Sequence, residues 1–582
     1  MKKEMMKKTS AAVLAAAMAV SAVPFTALAD GGSELPENYG WETGWQVTDR
    51  DETVTVTMGR YTTTNPMLPE GDTYEDNAWT RMCEEELNID IVDEFEATSD
   101  DYDTQVSLCL SSGSMPDIMK VMNRADLVEL YEAGMIYDLT ELYEKYASDE
   151  IKARYAAADP GCGLESVTVD DQLLAIPGTG AGVYTLCFMR QDWIDELGLT
   201  VDEDGDYVIT VSEVLDIARE FQKANPENVE NPVGLASIPQ LAWAGSEGAW
   251  ALDFISSSVN SWPQTWLNLD GEVAYGSIQE ETKEWLQICA DLYAEGVLDQ
   301  QVGTRQWDDV TSLLVNGELG IIFGAGHTPS WGLINVKKAD PDAEFAAFVV
   351  SDDEGVVRHK FANNNNGGFV VSTECEHPEI AFEILNLVWG RELGIDDANT
   401  SAVMYEKYPE VQAYEKELGV DNSCKPYNLV VDYATDVKSK EALYEKYWAG
   451  EATDEDIING EFTTESNLEN LKKIQAVMDG ETDDPTAWAL YCKDYVATSK
   501  YLVYDRYENV EFVTPLSPDD TPTMLTNWAN LEAMEQEYFL KIVTGVLDVE
   551  EGFNEFVEKW KAQGGEQITA EVAEQFGLTA QQ

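Results

Sequence analysis

Histidine is nearly missing from this chain: His327, His359 and His377 are the only three in 582 residues. That leaves too few imidazoles for a histidine metal site or a Ser-His-Asp triad. Basic side chains are also scarce, 36 Lys and Arg against 110 Asp and Glu, for a formal net charge of −74. So negative a surface keeps a protein soluble, repels phosphate backbones and anionic headgroups, and disfavours strongly anionic ligands; no nucleic-acid partner is expected. No Gly-Lys dipeptide occurs, so the phosphate-cradling P-loop is absent. The eight cysteines (Cys83, Cys109, Cys162, Cys187, Cys289, Cys375, Cys424, Cys492) form no C-x-x-C pair and show no metal-ligand spacing. Cys83, Cys109, Cys187 and Cys289 lie in apolar periodic segments and read as buried thiols, and spacing alone pairs none of the eight. Beyond residue 29 no stretch approaches the roughly 18 apolar residues of a membrane-spanning helix, and no fixed-period repeat is found.

What the chain does have begins at its N-terminus. Lys2, Lys3, Lys7 and Lys8 precede an apolar run of ten residues, Ala11 to Val20, and Ala27-Leu28-Ala29 offers a small-x-small cleavage site. These are the three regions of an export signal, so residues 1–29 are expected to be removed and the mature chain to start at Asp30, outside the cytoplasmic membrane. A retained anchor is disfavoured because ten helical residues rise only about 15 Å against a bilayer core of about 30 Å. The remaining 553 residues carry a formal charge of −77, and hydrophobic and aromatic contents of 44% and 10% are enough for a large core.

After a polar, Gly-rich tether over residues 30–50, the β-branched run Thr53 to Met58 reads as a strand, followed by a loop from Arg60 to Glu70 carrying Tyr61. Helical spacing over Ala78–Leu87, Tyr102–Ser111 and Ala125–Ala133 alternates with strand candidates at Ile89–Val92 and after Met115-Pro116-Asp117. The alternation recurs: a strand over Val183–Met189, a helix over Gln191–Glu196, a helix over Ser212–Lys223 capped by Ser212, a helix over Glu280–Tyr293, strands at Leu319–Phe323 and Phe369–Val371, and a helix over His377–Trp389. From about residue 400 the pattern is mainly helical, broken by prolines between Thr514 and Thr523. Strands alternating with helices make the fold class α/β.

Six segments, in order, resemble the extracellular solute-binding proteins of ABC transporters, in particular the oligosaccharide-binding lipoproteins of Gram-positive bacteria. They are Ser112 to Ile118 (SGSMPDI), Ala133 to Thr140 (AGMIYDLT), Met189 to Leu199, Leu292 to Leu298, Gly317 to Phe323, and Gly545 to Trp560. The resemblance implies a two-lobed, type II periplasmic-binding-protein-like fold with a ligand cleft between the lobes, residues 51–180 and 345–425 forming lobe 1 and residues 181–344 and 426–582 lobe 2. It further implies capture of a neutral oligosaccharide by hinge closure, a membrane permease as partner, a monomer, and no catalysis. In such relatives a lipidated cysteine stands at the cleavage point and a D-P-N-x-x-G loop holds calcium. Here residues 24–32 read PFTALADGG, and Asn225 to Asn231 reads NPENVEN without that aspartate or glycine. Neither a lipid anchor nor a metal is carried over, and no cofactor is expected. The run Asp202 to Asp206 (DEDGD) lacks the glycine position and closing glutamate of a calcium loop and reads as a hairpin turn.

Sugars are held by aromatic platforms and planar polar side chains. Aromatics in Gly- or Pro-rich loops are the best candidates because they have few ways to be buried. On that ground Tyr61, Trp243, Trp250 and Trp331 are expected ligand residues; Asn363 to Asn366 read as a polar turn. The resemblance adds Asn123, Tyr184 and Trp528. The alternatives are a secreted glycoside hydrolase or a surface glycan adhesin; with this many carboxylates, acid pairs do not discriminate between them.

Overall fold

The computed structural model describes residues 48–581 except 49, 64–67, 159–161, 170, 180–182, 243–249, 362–366, 390–404, 406, 415–417, 419, 432–435, 459, 461–462 and 464. The expected signal peptide, all but the last residues of the tether, Trp243 and Asn363 to Asn366 lie outside the described residues.

The β-branched run that opens the ordered chain forms β1 (Val54–Tyr61), and the strand after the first helix forms β2 (Ile89–Ala97). Between them the helix Ala78–Leu87 starts at Asn77, whose side chain accepts from the Trp79 and Thr80 amides while Thr80 answers in a capping box. Its buried face is Trp79, Met82, Cys83 and Leu87. Then follow β3 (Ile118–Val121), β4 (Ile176–Pro177), β5 (Thr185–Arg190), β6 (Val208–Thr210), β7 (Ile321–Ala325), β8 (Phe345–Ser351), β9 (Val357–Lys360), β10 (Gly368–Val371) and β11 (Val510–Val513).

The major strands assemble into two sheets, ordered β2-β1-β3-β10-β4 and β7-β5-β8-β6. In the first, β1, β2 and β3 are parallel and β10 runs antiparallel to β3 and β4. In the second, β7 and β8 are antiparallel to β5, while β6 is parallel to β8. Both faces of the second sheet are covered: Cys187, Met189, Ile321, Phe323 and Phe348 enter one core, and Leu186, Phe188, Ile322, Ala347 and Val349 the other. Sheets buried on both faces produce continuous apolar runs such as FAAFVV. Each sheet with its helices is one α/β lobe.

The lobe boundaries differ from those expected. Residues 345–360, expected in lobe 1, lie with lobe 2: β8 pairs with β5 and β6 inside the second sheet, and β9 pairs with β11. Residues 426–431, expected in lobe 2, lie with lobe 1: the Val430 carbonyl accepts from Thr179, Asn428 from Lys120 and Val431 from Arg154, all beside the first sheet. The chain thus passes between lobes after Thr179, after Phe361 and after Val431. A strand's partner is set by side chains hundreds of positions away, which local periodicity does not register.

Two local readings also shift. The helix after β6 spans Val211–Ala224, capped by Thr210 and Glu213 rather than by Ser212. The Asp202 carboxylate accepts from the amides of Asp206 and Tyr207, which closes the expected turn. All eight cysteines are buried.

The helical region past the third crossing contains Glu441, fully buried in the helix Asp436–Trp448. It is faced by Asp494, Tyr444, Lys493 and Lys500, with the Lys440 ammonium 4.0 Å away. Burial pushes its carboxyl from 4.5 up to about 8. An acid whose pKa is raised by folding costs stability as pH climbs from its unfolded to its folded value, by up to about 1.4 kcal/mol per pH unit. Urea unfolding of Glu441→Gln should therefore match the parent near pH 4.5 and exceed it by a few kcal/mol at pH 8. Equal stability at pH 8 would refute this.

Candidate functional site

The crossings join one end of each sheet, so those ends face each other. On the first lobe the end comprises Tyr61, Val121 and Gly368, since β1 and β3 finish there and Gly368 pairs with Val121. On the second it comprises Thr185, Ala325 and Ser351, since Ala325 pairs with Thr185 and β8 finishes alongside. Crevices outside the carboxyl ends of strands are where open α/β sheets bind ligands.

On the first wall Tyr61 is half-buried, its ring 5.4 Å edge-on from Tyr102. The Lys120 ammonium lies 5.5 Å above the Tyr61 ring and donates to the Asn428 carbonyl at 3.0 Å. Burial pulls the Lys120 pKa down to about 8. Asn123 is exposed and caps the helix Arg124–Glu132, accepting from the Asp126 amide and donating to the Asp126 carboxylate. Both its polar atoms serve that helix start. Arg124, next to it, donates to the carbonyls of Ser166 at 2.7 Å and Thr168 at 2.9 Å, and ion-pairs across the lobes with Asp519.

On the second wall Tyr184 is 5% exposed, stacked on Tyr504 at 4.2 Å, tilted on His359 at 4.5 Å and covered by the Lys438 ammonium at 4.6 Å. It braces the crossing rather than presenting a free face. Trp250 and Trp331 do come together, 5.9 Å apart, with Trp307 as a third ring 5.5 Å from Trp250 and stacked on Trp331 at 5.7 Å. Trp250 is 2% exposed and Trp307 is 40% exposed, so Trp250 backs the platform and Trp307 and Trp331 form it. Trp331 is not in the loop expected for it but on a π-helical turn, Pro329–Leu333, shortly after β7, and between the two the Gly326 amide donates to the Tyr501 hydroxyl. Trp528 joins a different group, stacked on Trp266 at 6.0 Å and edge-on to Tyr275 at 5.4 Å.

Beside Thr185 a cavity of about 60 Å³ is lined by Asp253, Ser256, Trp262, Phe323, His359, Lys360 and Tyr504. Burial, with Lys438 and Lys360 nearby, drives the His359 pKa down to about 3, so the ring is neutral at any physiological pH. This lining offers donors, acceptors and aromatic faces but no carboxylate pair isolated for acid-base work.

With this geometry in hand, the sequence profile of a family described as bacterial extracellular solute-binding protein matches residues 78–394. The chain belongs to that family. A second profile, for a domain of unknown function, matches residues 518–577. The lipoprotein LipO of Bacillus subtilis (strain 168) is 20% identical over 292 residues; the match covers 48% of this chain and 54% of LipO, so the chain spans about half the length of that curated relative. Among solved structures, a solute-binding protein associated with an HMO-binding ABC transporter of Bifidobacterium longum infantis superposes with TM-score 0.58 at 16% identity, covering 90% of this chain and 99% of that one. The N-glycan transport solute-binding protein NgtS of Streptococcus pneumoniae gives 0.52 at 16%, covering 90% and 98%. These likenesses establish the two-lobed fold.

Within this solute-binding fold, sequence reasoning missed Trp307, Lys120 and the cavity residues around His359. Trp307 follows Arg305-Gln306 at a helix start, and its partner Trp331 is 24 positions away, so only packing marks it. The segment compared with the relatives' calcium loop is closed by Asn225, whose side chain bonds both the amide and the carbonyl of Val229. Glu227 turns instead to Arg190. Among the described residues no helix is long and apolar enough to cross a membrane.

Proposed function

We propose that the protein captures an oligosaccharide between its lobes, outside the cytoplasmic membrane, and hands it to the permease of an ABC importer without chemical conversion. The observation that carries this reading is the stacked pair Trp307 and Trp331, braced from behind by Trp250; Trp331 stands on the π-helical turn Pro329–Leu333 just after β7, and Trp307 opens the helix Trp307–Val315. Stacked indoles match the C–H faces of sugar rings, and a separate cavity beside Thr185 offers the neutral His359, Thr185 and Ser256 as hydroxyl partners. Tyr61 with Lys120 forms the facing wall. Asn123, Tyr184 and Trp250 serve as supports, and Trp528 lies in a separate aromatic group. The sugar-transport descriptions of the B. longum and S. pneumoniae neighbours agree with this reading.

Calorimetry with neutral di- to hexasaccharides should show reversible binding and no product. Trp331→Ala and Trp307→Ala should each weaken it by about 1–3 kcal/mol, roughly five- to hundred-fold. Their melting temperatures should barely move, since neither indole is fully buried. A flat panel, or release of product from chromogenic glycosides, would overturn the assignment.

A further inference from the structure

The second lobe carries another aromatic groove, which shares no lining residue with the Trp307–Trp331 platform. Its volume is about 570 Å³, and its lining includes Tyr207, Trp448, Tyr495, Tyr507, Lys500 and Arg506. Ligand pockets typically span about 300–1,000 Å³. Tyr207 closes the 202–207 turn immediately before edge strand β6; the other rings come from the helix Asp436–Trp448 and from residues 491–507. Except for the turn, these residues lie between the two profile matches, which end at 394 and resume at 518.

The rings are held in set orientations. Tyr207 is 46% exposed and sits at φ +67°, a left-handed conformation that a bulky residue rarely adopts and that recurs at functional positions. The Lys500 ammonium rests 3.7 Å over its ring and donates to the Ser499 hydroxyl at 3.2 Å. Tyr495 meets Trp448 edge-on at 4.9 Å and stacks on Tyr491 at 5.4 Å, the two tyrosines standing on a π-helical turn over Tyr491–Ala497. Such turns are concentrated at functional sites. At the rim Arg506 and Glu445 form a planar two-bond fork at 3.0 and 2.6 Å.

We propose that this groove is a second carbohydrate site, taking pyranose units of a longer glycan on the outer face of the lobe. Aromatic faces beside a planar Arg–Glu fork are the pairing that a sugar ring with equatorial hydroxyls requires. Lys500 over one face of Tyr207 disfavours a cationic ligand, while the 46% exposure of that residue leaves surface for a sugar. An anionic one is disfavoured by Asp206 and Glu445 in the lining. The site does not depend on the cleft reading: it would hold polymer at the protein surface whatever the cleft accepts.

Affinity electrophoresis of the full chain through gels containing xylan, mannan, pullulan or mixed-linkage β-glucan tests this. At least one polymer should retard the protein. Tyr207→Asn, which suits the left-handed backbone, and Arg506→Gln, which is on the exposed rim, should each weaken retardation about five- to fifty-fold. Trp331→Ala should leave retardation unchanged, and Tyr207→Asn should leave oligosaccharide calorimetry unchanged. Retardation by none of the polymers, retardation insensitive to both groove variants, or retardation lost only in Trp331→Ala would each overturn the proposal.

Discussion

Arg190→Ala is expected to lower unfolding stability by about 3 kcal/mol, and millimolar calcium is expected to restore part of the loss. Arg190 ends β5 at the edge of the sheet remote from the cleft and is 2% exposed. Its guanidinium bonds Asp192 at 2.6 Å, Glu227 at 3.0 Å and Asp340 at 2.8 Å, and stacks 4.8 Å over Trp193. Trp193 in turn donates to Glu227 at 3.1 Å. Removing the cation leaves three carboxylates whose oxygens lie within 4.8 Å of one another. The penalty is smaller than for a sealed pair because Glu227 and Asp340 keep 37% and 34% of their side-chain exposure. Three convergent acidic groups are a partial oxygen cage for a hard cation, so the variant should gain a calcium-dependent melting shift that the parent lacks. Urea unfolding of both proteins with calcium and with chelator measures this. A loss below about 1 kcal/mol, or no calcium response in the variant, would show that Arg190 is not what balances these acids.

Gly367→Ala should be still more damaging. Gly367 follows the second crossing, and its φ of +64° favours glycine. An added Cβ would lie 1.5 Å from the Val121 carbonyl oxygen and 2.5 Å from its carbon, at the strand end that carries Lys120. Backbone cannot move aside as a flexible side chain does, so β10 must shift off β3. A loss above about 3 kcal/mol is expected, with loss of ligand binding in whatever folds. Gly134→Ala is the control: its φ of +69° matches that of Gly367 but nothing lies within 4 Å, so it should cost only about 1–2 kcal/mol. Similar melting temperatures for the two variants would remove the steric account.

Which residues meet at the candidate site was only partly legible. Trp250 and Trp331 do meet, but not as the loop argument expects: Trp250 is buried and Trp331 stands on a π-helical turn. Their division of labour was not legible, since Trp250 is buried behind Trp307 and Trp331. Asn123 and Tyr184 lie on the walls, but a helix start and a tyrosine–histidine–lysine stack claim their side chains. Residue type predicts what a side chain can bind, and neighbours decide whether it is already engaged.

By itself the sequence determined the alternation of strands and helices, because the period of apolar residues reports how each segment meets a core. The helix Ala78–Leu87 was read to the residue, and the helix expected over Glu280–Tyr293 runs to Glu295. It also determined the acidic surface and the order of segments that marks the solute-binding family. Tertiary structure alone decided that β8 belongs to the second sheet, that Trp307 completes the platform, that Arg190 stands among three acids, and that helices past residue 436 close a groove against the 202–207 turn. Each of these depends on groups brought together across tens to hundreds of positions, and a local pattern carries no information about a partner that far along the chain.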